Sequence, residues 1–327
     1  MPMIPVLPPT EENLLKASRD LAAGRLVSFP TETVYGLGAN ALDPLALARI
    51  FEAKRRPFFD PLIVHIADRK SLDTLCTGRD DRAERLMDRF WPGPLTLVLP
   101  RTDAVPDLAT SGLPTVAVRM PAHPVALALI RMAGFPLAAP SANPFGRLSP
   151  TSAAHVRDHF SEGIAMILDG GPCRVGVEST ILSLETKTPC LLRAGGVPRE
   201  ELEALIGPIN LAETNPEKPS APGQLPGHYA PRTRLRLLAG PPGPMAGPLK
   251  LGWLGFRSVP EGTFAATEVL SSAGDLREAA ANLFACLHRL DSQGLDLILA
   301  EPIAERGLGA AIMDRLRKAA AGSAEGL

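Results

Sequence analysis

The sequence predicts a two-domain α/β protein: a larger domain built on a twisted mixed sheet flanked by helices, then a smaller α/β domain with parallel strands. Helix and strand patterns alternate along residues 11–184, but without the even spacing of a βαβ repeat. Ten prolines fall between positions 208 and 248, a stretch that neither a helix nor a central strand can contain. Beyond it, 250–254, 274–290 and 295–299 read as strand, amphipathic helix and strand, and the spacing from 274 to 299 is that of half a βαβ unit. A length of 327 residues suits two domains of about 100–200 residues each.

The elements follow in order. Residues 11–24 form a helix with Thr10 as N-cap and Gly24 as stop. A short strand at 26–29 runs into a Pro-Thr-Glu-Thr turn. A helix at 44–54 precedes a β-branched strand at 62–66, and a helix at 80–90 ends before Trp91-Pro92-Gly93-Pro94. Strands at 95–99 and 115–118, a helix at 124–133 and a buried strand at 137–139 come next. Ser149-Pro150-Thr151 opens a helix at 151–160, with Ser149 or Thr151 as its cap. Strands at 164–168 and 179–184 complete a first domain of residues 1–208. A proline-rich linker occupies 209–231. The second domain, 232–327, has a strand at 234–238, a proline-rich loop at 240–248, the βαβ-like unit, and a helix at 308–320 whose Ala/Gly tail after Lys318 is expected to fray.

Lys and Arg total 34 against 35 Asp and Glu, and this balance argues against wrapping nucleic acid by bulk charge. The four cysteines, at 76, 173, 190 and 286, make no CxxC pair, so the usual zinc and redox patterns are absent. Sparse cysteines suit a reducing compartment. The N-terminus lacks the basic and apolar regions of a signal peptide. No apolar run reaches the roughly 18 residues of a membrane span. A soluble cytoplasmic protein without membrane contact is expected.

Polar clusters punctuate these elements. Phe29-Pro30-Thr31-Glu32-Thr33 leads to Gly36 and Gly38; lacking a third glycine, it reads as a strand–turn–helix corner. Lys54-Arg55-Arg56-Pro57 closes a helix, where cations complement the dipole; held by Pro57 and Pro61, the same cations suit a triphosphate. His65 sits on a strand, where taken alone a histidine is more often a hydrogen-bonded core residue than a catalyst. Arg119 ends an apolar strand and must find an anion, from a structural or a substrate carboxylate. Pro140-Ser141-Ala142-Asn143-Pro144 is a stiff polar turn. Glu178-Ser179-Thr180, Arg193-Ala194-Gly195-Gly196 and the linker pair His228-Tyr229 complete the set. His155 and His159 stand at i, i+4, but without an acidic residue at 156 they fail the HExxH zinc pattern and are expected on a solvated face.

In order and spacing these clusters resemble the YrdC-like family in its long two-domain form, over essentially the whole chain. The matching stretches are FPTETVYGLGA (29–39), KRRP (54–57), PLIVH (61–65), WPGPLT (91–96), VAVRMP (116–121), APSAN (139–143), VESTI (177–181), LRAGG (192–196) and PGQLPGHYAP (222–231). The resemblance implies a YrdC-like twisted mixed sheet flanked by helices, plus a smaller C-terminal α/β Rossmann-like domain. It implies a nucleotidyltransferase that joins L-threonine, bicarbonate and ATP into threonylcarbamoyl-AMP and pyrophosphate. That product serves N6-threonylcarbamoylation of adenosine 37 in tRNAs reading A-starting codons, through a downstream tRNA threonylcarbamoyl-transferase complex.

The same resemblance implies that Lys54, Arg56, Ser141 and Asn143 hold the ATP phosphates, with Mg²⁺ carried on those phosphates and no metal ligand from the protein. Asp60, Thr115, Ser149, Arg193 and linker residue Tyr229 complete the nucleotide site; Asp60 stands where the family usually has asparagine. Thr33, His65, Arg119, Ala139 and Ser179 bind L-threonine. Because a carbamate hydrolyses readily, linker 209–231 is expected to act as a lid, with Tyr229 closing over the site. A competing class is a tRNA or double-stranded-RNA binding module, with Arg25, Arg49, Lys54, Arg55, Arg56 and Arg147 lining a concave basic surface. A related carbamoyl-transfer domain is disfavoured, because zinc-finger-like cysteines are lacking.

Overall fold

A computed structural model describes residues 3–212, 219–225, 227–240 and 249–322. The first domain runs β1 (Val6–Leu7), α1 (Glu11–Ala22), β2 (Val27–Pro30), β3 (Tyr35–Asn40), α2 (Pro44–Lys54), β4 (Ile63–His65), α3 (Leu72–Leu75), α4 (Asp81–Phe90), β5 (Leu95–Pro100), α5 (Asp107–Thr110), β6 (Thr115–Arg119), α6 (Pro124–Ala133), β7 (Leu137–Ala138), α7 (Ala153–His159), β8 (Met166–Leu168), β9 (Thr180–Ser183), β10 (Cys190–Arg193), α8 (Arg199–Ile206) and β11 (Asn210–Leu211). The second holds β12 (Arg234–Leu237), β13 (Leu251–Gly255), β14 (Ala266–Val269), α9 (Leu276–Asp291), β15 (Leu297–Ala300) and α10 (Gly309–Gly322).

One sheet of 11 strands is ordered β1-β8-β2-β3-β7-β4-β6-β5-β9-β10-β11, with parallel and antiparallel pairs mixed. Helices cover both faces. Leu47, Ile50 and Phe51 of α2 and Leu86 and Met87 of α4 share one core with Leu97 and Val118. Leu14 and Leu21 of α1 and Leu129 of α6 pack against Val27, Phe29 and Met166 on the other face. The second sheet, β12-β15-β13-β14, is parallel throughout. Its core is shared: Leu283, Phe284, Leu287, Ile312 and Leu316 enclose Val34, Leu148 and Val177 of the first domain and Tyr229 of the linker.

The local signals explain the caps. Thr10 accepts from the Asn13 amide at 3.3 Å, and Glu11 and Glu12 sit in the first turn of α1. Asp43 caps α2 with Pro44 behind it, and Arg55 ends α2 in the left-handed conformation at φ +51°.

Several expectations change. The turn after β2 leads into a strand, not a helix: β2 and β3 form an antiparallel hairpin. Gly38 permits it, since a Cβ there would lie 2.7 Å from Phe29 Cε1. Strands β1, β10, β11 and β14 and helices α3, α5 and α8 escaped the sequence reading. The four strands have fewer than five residues each, too few for a periodic signal, and each is held by its partner in the sheet. The large sheet takes its last strand at 210–211, just past the boundary expected at 208. Ser152, not Ser149 or Thr151, caps α7, accepting from the His155 amide at 3.3 Å. His155 and His159 are not on a solvated face. The His155 ring stacks on His288 of α9 at 3.9 Å, and His159 meets the same ring at 5.4 Å. Helix α10 continues past Lys318 to Gly322. Positions 213–218 and 226 of the expected linker, and 241–248 of the expected loop, lie outside the described residues. Among the described residues no helix is long and apolar enough to cross a membrane.

Candidate active site

The β2–β3 hairpin, the ends of β4, β6 and β10, and the 140–144 turn converge on a cavity of about 50 Å³, lined from the linker by Pro222, Gly223, His228 and Tyr229. Arg119 reaches it from the end of β6. Its Nε donates to Gly93 O at 3.1 Å and one Nη to Thr33 Oγ1 at 3.0 Å, while the other pairs with Glu32 at 2.6 Å. Thr33 Oγ1 lies 2.8 Å from Thr31 Oγ1. His65 is opposite Arg119 in the parallel β4–β6 register. Burial, reinforced by Arg119, pushes its pKa down to about 3, so the ring is neutral. Ser179 Oγ lies 2.7 Å from Thr96 Oγ1 and accepts from Arg193 at 3.1 Å. A bulge between Leu191 and Arg193 accompanies this turn of β10, and Arg193 also donates to Ser179 O and Pro222 O.

Arg56 supplies the other end. The left-handed Arg55 turns the chain so that the Arg56 guanidinium donates to Asp60 O at 3.0 Å and Pro61 O at 2.7 Å, and pairs with the Asp60 carboxylate at 2.8 Å. Burial raises the Asp60 pKa while Arg56 and Lys54 oppose it. Lys54 is 1% exposed and does not line the cavity; its ammonium donates to Ser141 O at 2.6 Å and to Asn143 O, bracing the 141–143 turn. Burial, then Arg56, holds its pKa well below the usual lysine range. Asn143 Nδ2 donates to Pro144 O and Arg147 O, leaving its buried Oδ1 without a partner. Ser141 bridges Gly36 across the sheet.

Of the residues expected from sequence, Thr33, Arg56, His65, Arg119, Ala139, Ser141, Ser179, Arg193 and Tyr229 line the cavity. Lys54, Asp60 and Asn143 stand one contact behind. Ser149 does too, donating its hydroxyl to Glu178. Thr115 lies away from the lining, at the start of β6 beside the Arg56–Pro61 end. Lys54 and Arg56, at 1% and 6% exposure, are unavailable to the concave RNA surface considered above.

The sequence reading missed Glu32, Thr96 and the role of Glu178. Glu32 lay in the quoted motif; its acidity beside a strand-end arginine was the usable signal. Each of three buried carboxylates engages an arginine: Glu32–Arg119, Asp60–Arg56 and Glu178–Arg315. Burial alone would raise the Glu178 carboxyl, but Arg315 and Arg193 hold it below the usual range. Arg315, from α10, carries no motif that could have pointed here.

The linker is packed in rather than strung across solvent. Ala230 N donates to Gly146 O at 2.8 Å, and Gln224 Nε2 to Leu192 O at 3.2 Å. The His228 ring meets Phe145 edge-on at 4.7 Å, and its Nε2 is 3.9 Å from Asp60.

Two family models match the chain. Residues 19–195 fit the Sua5_yciO_yrdC model, described as "Telomere recombination". Residues 197–321 fit "Threonylcarbamoyl-AMP synthase, C-terminal domain". The threonylcarbamoyl-AMP synthase of Pyrococcus abyssi is 48% identical over 312 residues, covering 90% of each chain. That of Bacillus subtilis is 46% identical over 326 residues, covering 95% of this chain and 94% of its own. The crystal structure of P. abyssi Sua5 complexed with L-threonine superposes with a TM-score of 0.90 at 44% identity, covering 99% of this chain and 98% of that one.

Proposed function

The chain belongs to the threonylcarbamoyl-AMP synthase family, and we propose that its cavity joins L-threonine, bicarbonate and ATP into threonylcarbamoyl-AMP and pyrophosphate. It is a nucleotidyltransferase, and its product carries the group destined for adenosine 37 of tRNAs reading A-starting codons. One observation carries the reading: a buried arginine fork, Arg119, beside Thr33 shares one cavity with Arg56 and Arg193.

Arg119 grips the threonine carboxylate. Thr33, Ser179, the Ala139 backbone and the neutral His65 ring surround the amine and hydroxyl. The amine attacks bicarbonate, giving a carbamate and water. A carbamate oxygen then attacks the α-phosphorus, and the bond to pyrophosphate breaks. No protein nucleophile is needed; the chain supplies alignment and charge. Arg56, Arg193 and Ser141 face the phosphates. Lys54 and Asn143 hold the Ser141 turn in place, and Asp60, Thr115, Ser149 and Tyr229 complete the nucleotide contacts.

The three carboxylates nearest the cavity are each engaged by an arginine, and no group of three or more His, Cys, Asp or Glu among the described residues is arranged to hold a metal. Mg²⁺ enters this reading as part of the substrate, riding on the ATP phosphates and spreading the charge of leaving pyrophosphate.

Pro222, Gly223, His228 and Tyr229 of the linker stand in the lining of the cavity, over the ground a nucleotide would need. Linker 209–231 is read as a lid that lifts for ATP and reseats Tyr229 over the reactants, keeping water from the carbamate. We place the reaction in the cytoplasm, with the product passed to a tRNA threonylcarbamoyl-transferase complex. The test is pyrophosphate release from the purified protein with Mg-ATP, omitting L-threonine or bicarbonate in turn. Release that needs both, with a threonylcarbamoyl-AMP mass in the product, is expected; release without either overturns the reading.

A further inference from the structure

Two of the buried carboxylate–arginine pairs lie within the first domain, but Glu178 is paired to Arg315 of α10 in the second. Arg315 is 0% exposed. Its Nε donates to Glu178 Oε2 at 2.9 Å and one Nη to Ala194 O at 2.7 Å. Its guanidinium carbon stands 5.0 Å from the centre of the Tyr229 ring, within cation–π range. Three residues on, Lys318 donates to Gly223 O at 2.6 Å while Asp314 pairs with it at 2.7 Å. Four further on, Gly322 lies so near the linker that a Cβ there would fall 2.9 Å from Gly227 Cα. Positions 315, 318 and 322 share one helical face. The linker residues they touch, Tyr229, Gly223 and Gly227, have φ of +64°, +82° and +73°.

We propose that this face of α10 is the latch of the active-site linker, with Arg315 and Lys318 as positioning residues that hold it closed and set how fast the nucleotide product leaves. The proposal rests on the linker being a lid. A left-handed conformation is disfavoured for a tyrosine on its own, so Tyr229 needs outside contacts to hold it. Arg315 and the Phe284 ring, 5.7 Å from the Tyr229 ring, supply them from the second domain. Lys318 fastens the second left-handed corner through its main-chain oxygen. Glu178 joins the latch to the site, because Ser149, read as a nucleotide contact, donates to the same carboxylate that Arg315 holds. The second domain thereby acts on the reaction without touching the reacting atoms.

The experiment uses the full chain as wild type and as Lys318→Met, Lys318→Arg, Arg315→Met and Tyr229→Ala. Release of threonylcarbamoyl-AMP from preloaded enzyme, KM for ATP, kcat and proteolytic cleavage of the linker are measured, with thermal unfolding to confirm folding. Lys318→Met is expected to release product about tenfold faster, the effect of one charge-assisted hydrogen bond. Its KM for ATP should rise, kcat should not fall, and the linker should be cut faster as its open population grows. Lys318→Arg keeps a charged donor and should restore most of the retention. If Tyr229→Ala speeds release while folded Lys318→Met and Arg315→Met match wild type, the latch is wrong and the lid stands. If Tyr229→Ala also matches wild type, the lid falls and the latch with it. Arg315→Met leaves Glu178 unpaired in the interior; should it fail to fold, the Lys318 pair of variants decides.

Discussion

Arg119 pairs with Glu32 and bonds Gly93 O and Thr33, and under the proposed reaction its planar fork must also hold the substrate carboxylate. Arg119→Gln should therefore do two things at once. It leaves Glu32 buried beside an uncharged neighbour, which costs about 3–5 kcal/mol of stability. It should also raise KM for L-threonine by about a hundredfold, the loss of a bidentate charged contact. Arg119→Lys restores the charge but not the fork, so KM should stay raised while stability partly returns; thermal unfolding and threonine-dependent pyrophosphate release separate the two effects. His65 makes a different prediction. With its pKa pushed down to about 3 by burial and Arg119, it stays neutral across the working range. The pH profile of kcat/KM for threonine should show no break near 6.5, and such a break that vanished in His65→Asn would contradict this. Most of these residues were legible in the sequence as motif members. For Lys54 the structure adds what a basic run does not announce: its buried ammonium donates to two main-chain carbonyls, Ser141 O and Asn143 O.

At the level of elements, the β2–β3 hairpin sets the site's floor. It places Thr33 in its turn and Gly36 against Ser141. Gly38 is needed where the Phe29 ring crosses β3. Gly38→Val should cost about 1–3 kcal/mol through overpacking, and it should lower activity in step with stability; chemical denaturation measures the first and turnover the second. A glycine pair after a polar turn looked like the mouth of a helix because periodicity over four or five residues cannot separate a strand from a corner. Strand β3 is decided by its partners β2 and β7, the latter about a hundred residues downstream. Helices α1, α2, α4 and α9 were legible for the opposite reason, since each carries its own cap and its own apolar stripe.

The whole molecule gathers its histidines into the interior. His65, His123, His155, His159, His228 and His288 are all held below the usual histidine range, chiefly by burial, with His155, His159 and His288 at about 4. An unfolded histidine binds its proton near pH 6.5, so below that pH the unfolded chain takes up protons that the folded one refuses. Stability should be full above about pH 7 and fall as pH drops toward 4, by up to about 1.4 kcal/mol per pH unit for each such histidine. Three of them meet where α7 faces α9, so the domain interface should loosen early. Thermal midpoints between pH 7.5 and 5.5 test this. A His155→Gln, His288→Gln double variant should show a shallower fall, and an unchanged slope would refute the assignment.

The linear order of residues was enough for the fold class, the family and the reaction, and it supplied the motifs most of whose members line the cavity. Those signals are local: a proline, a cap or a strand-end arginine acts on its immediate neighbours whatever the rest of the chain does. Packing alone settled that Pro222, Gly223, His228 and Tyr229 line the cavity, that paired histidines face a third, and that Arg315 reaches the cavity residue Glu178 across 137 positions. Such contacts have no local propensity. They exist because two domains closed at interior density around charges that could not be left unpaired.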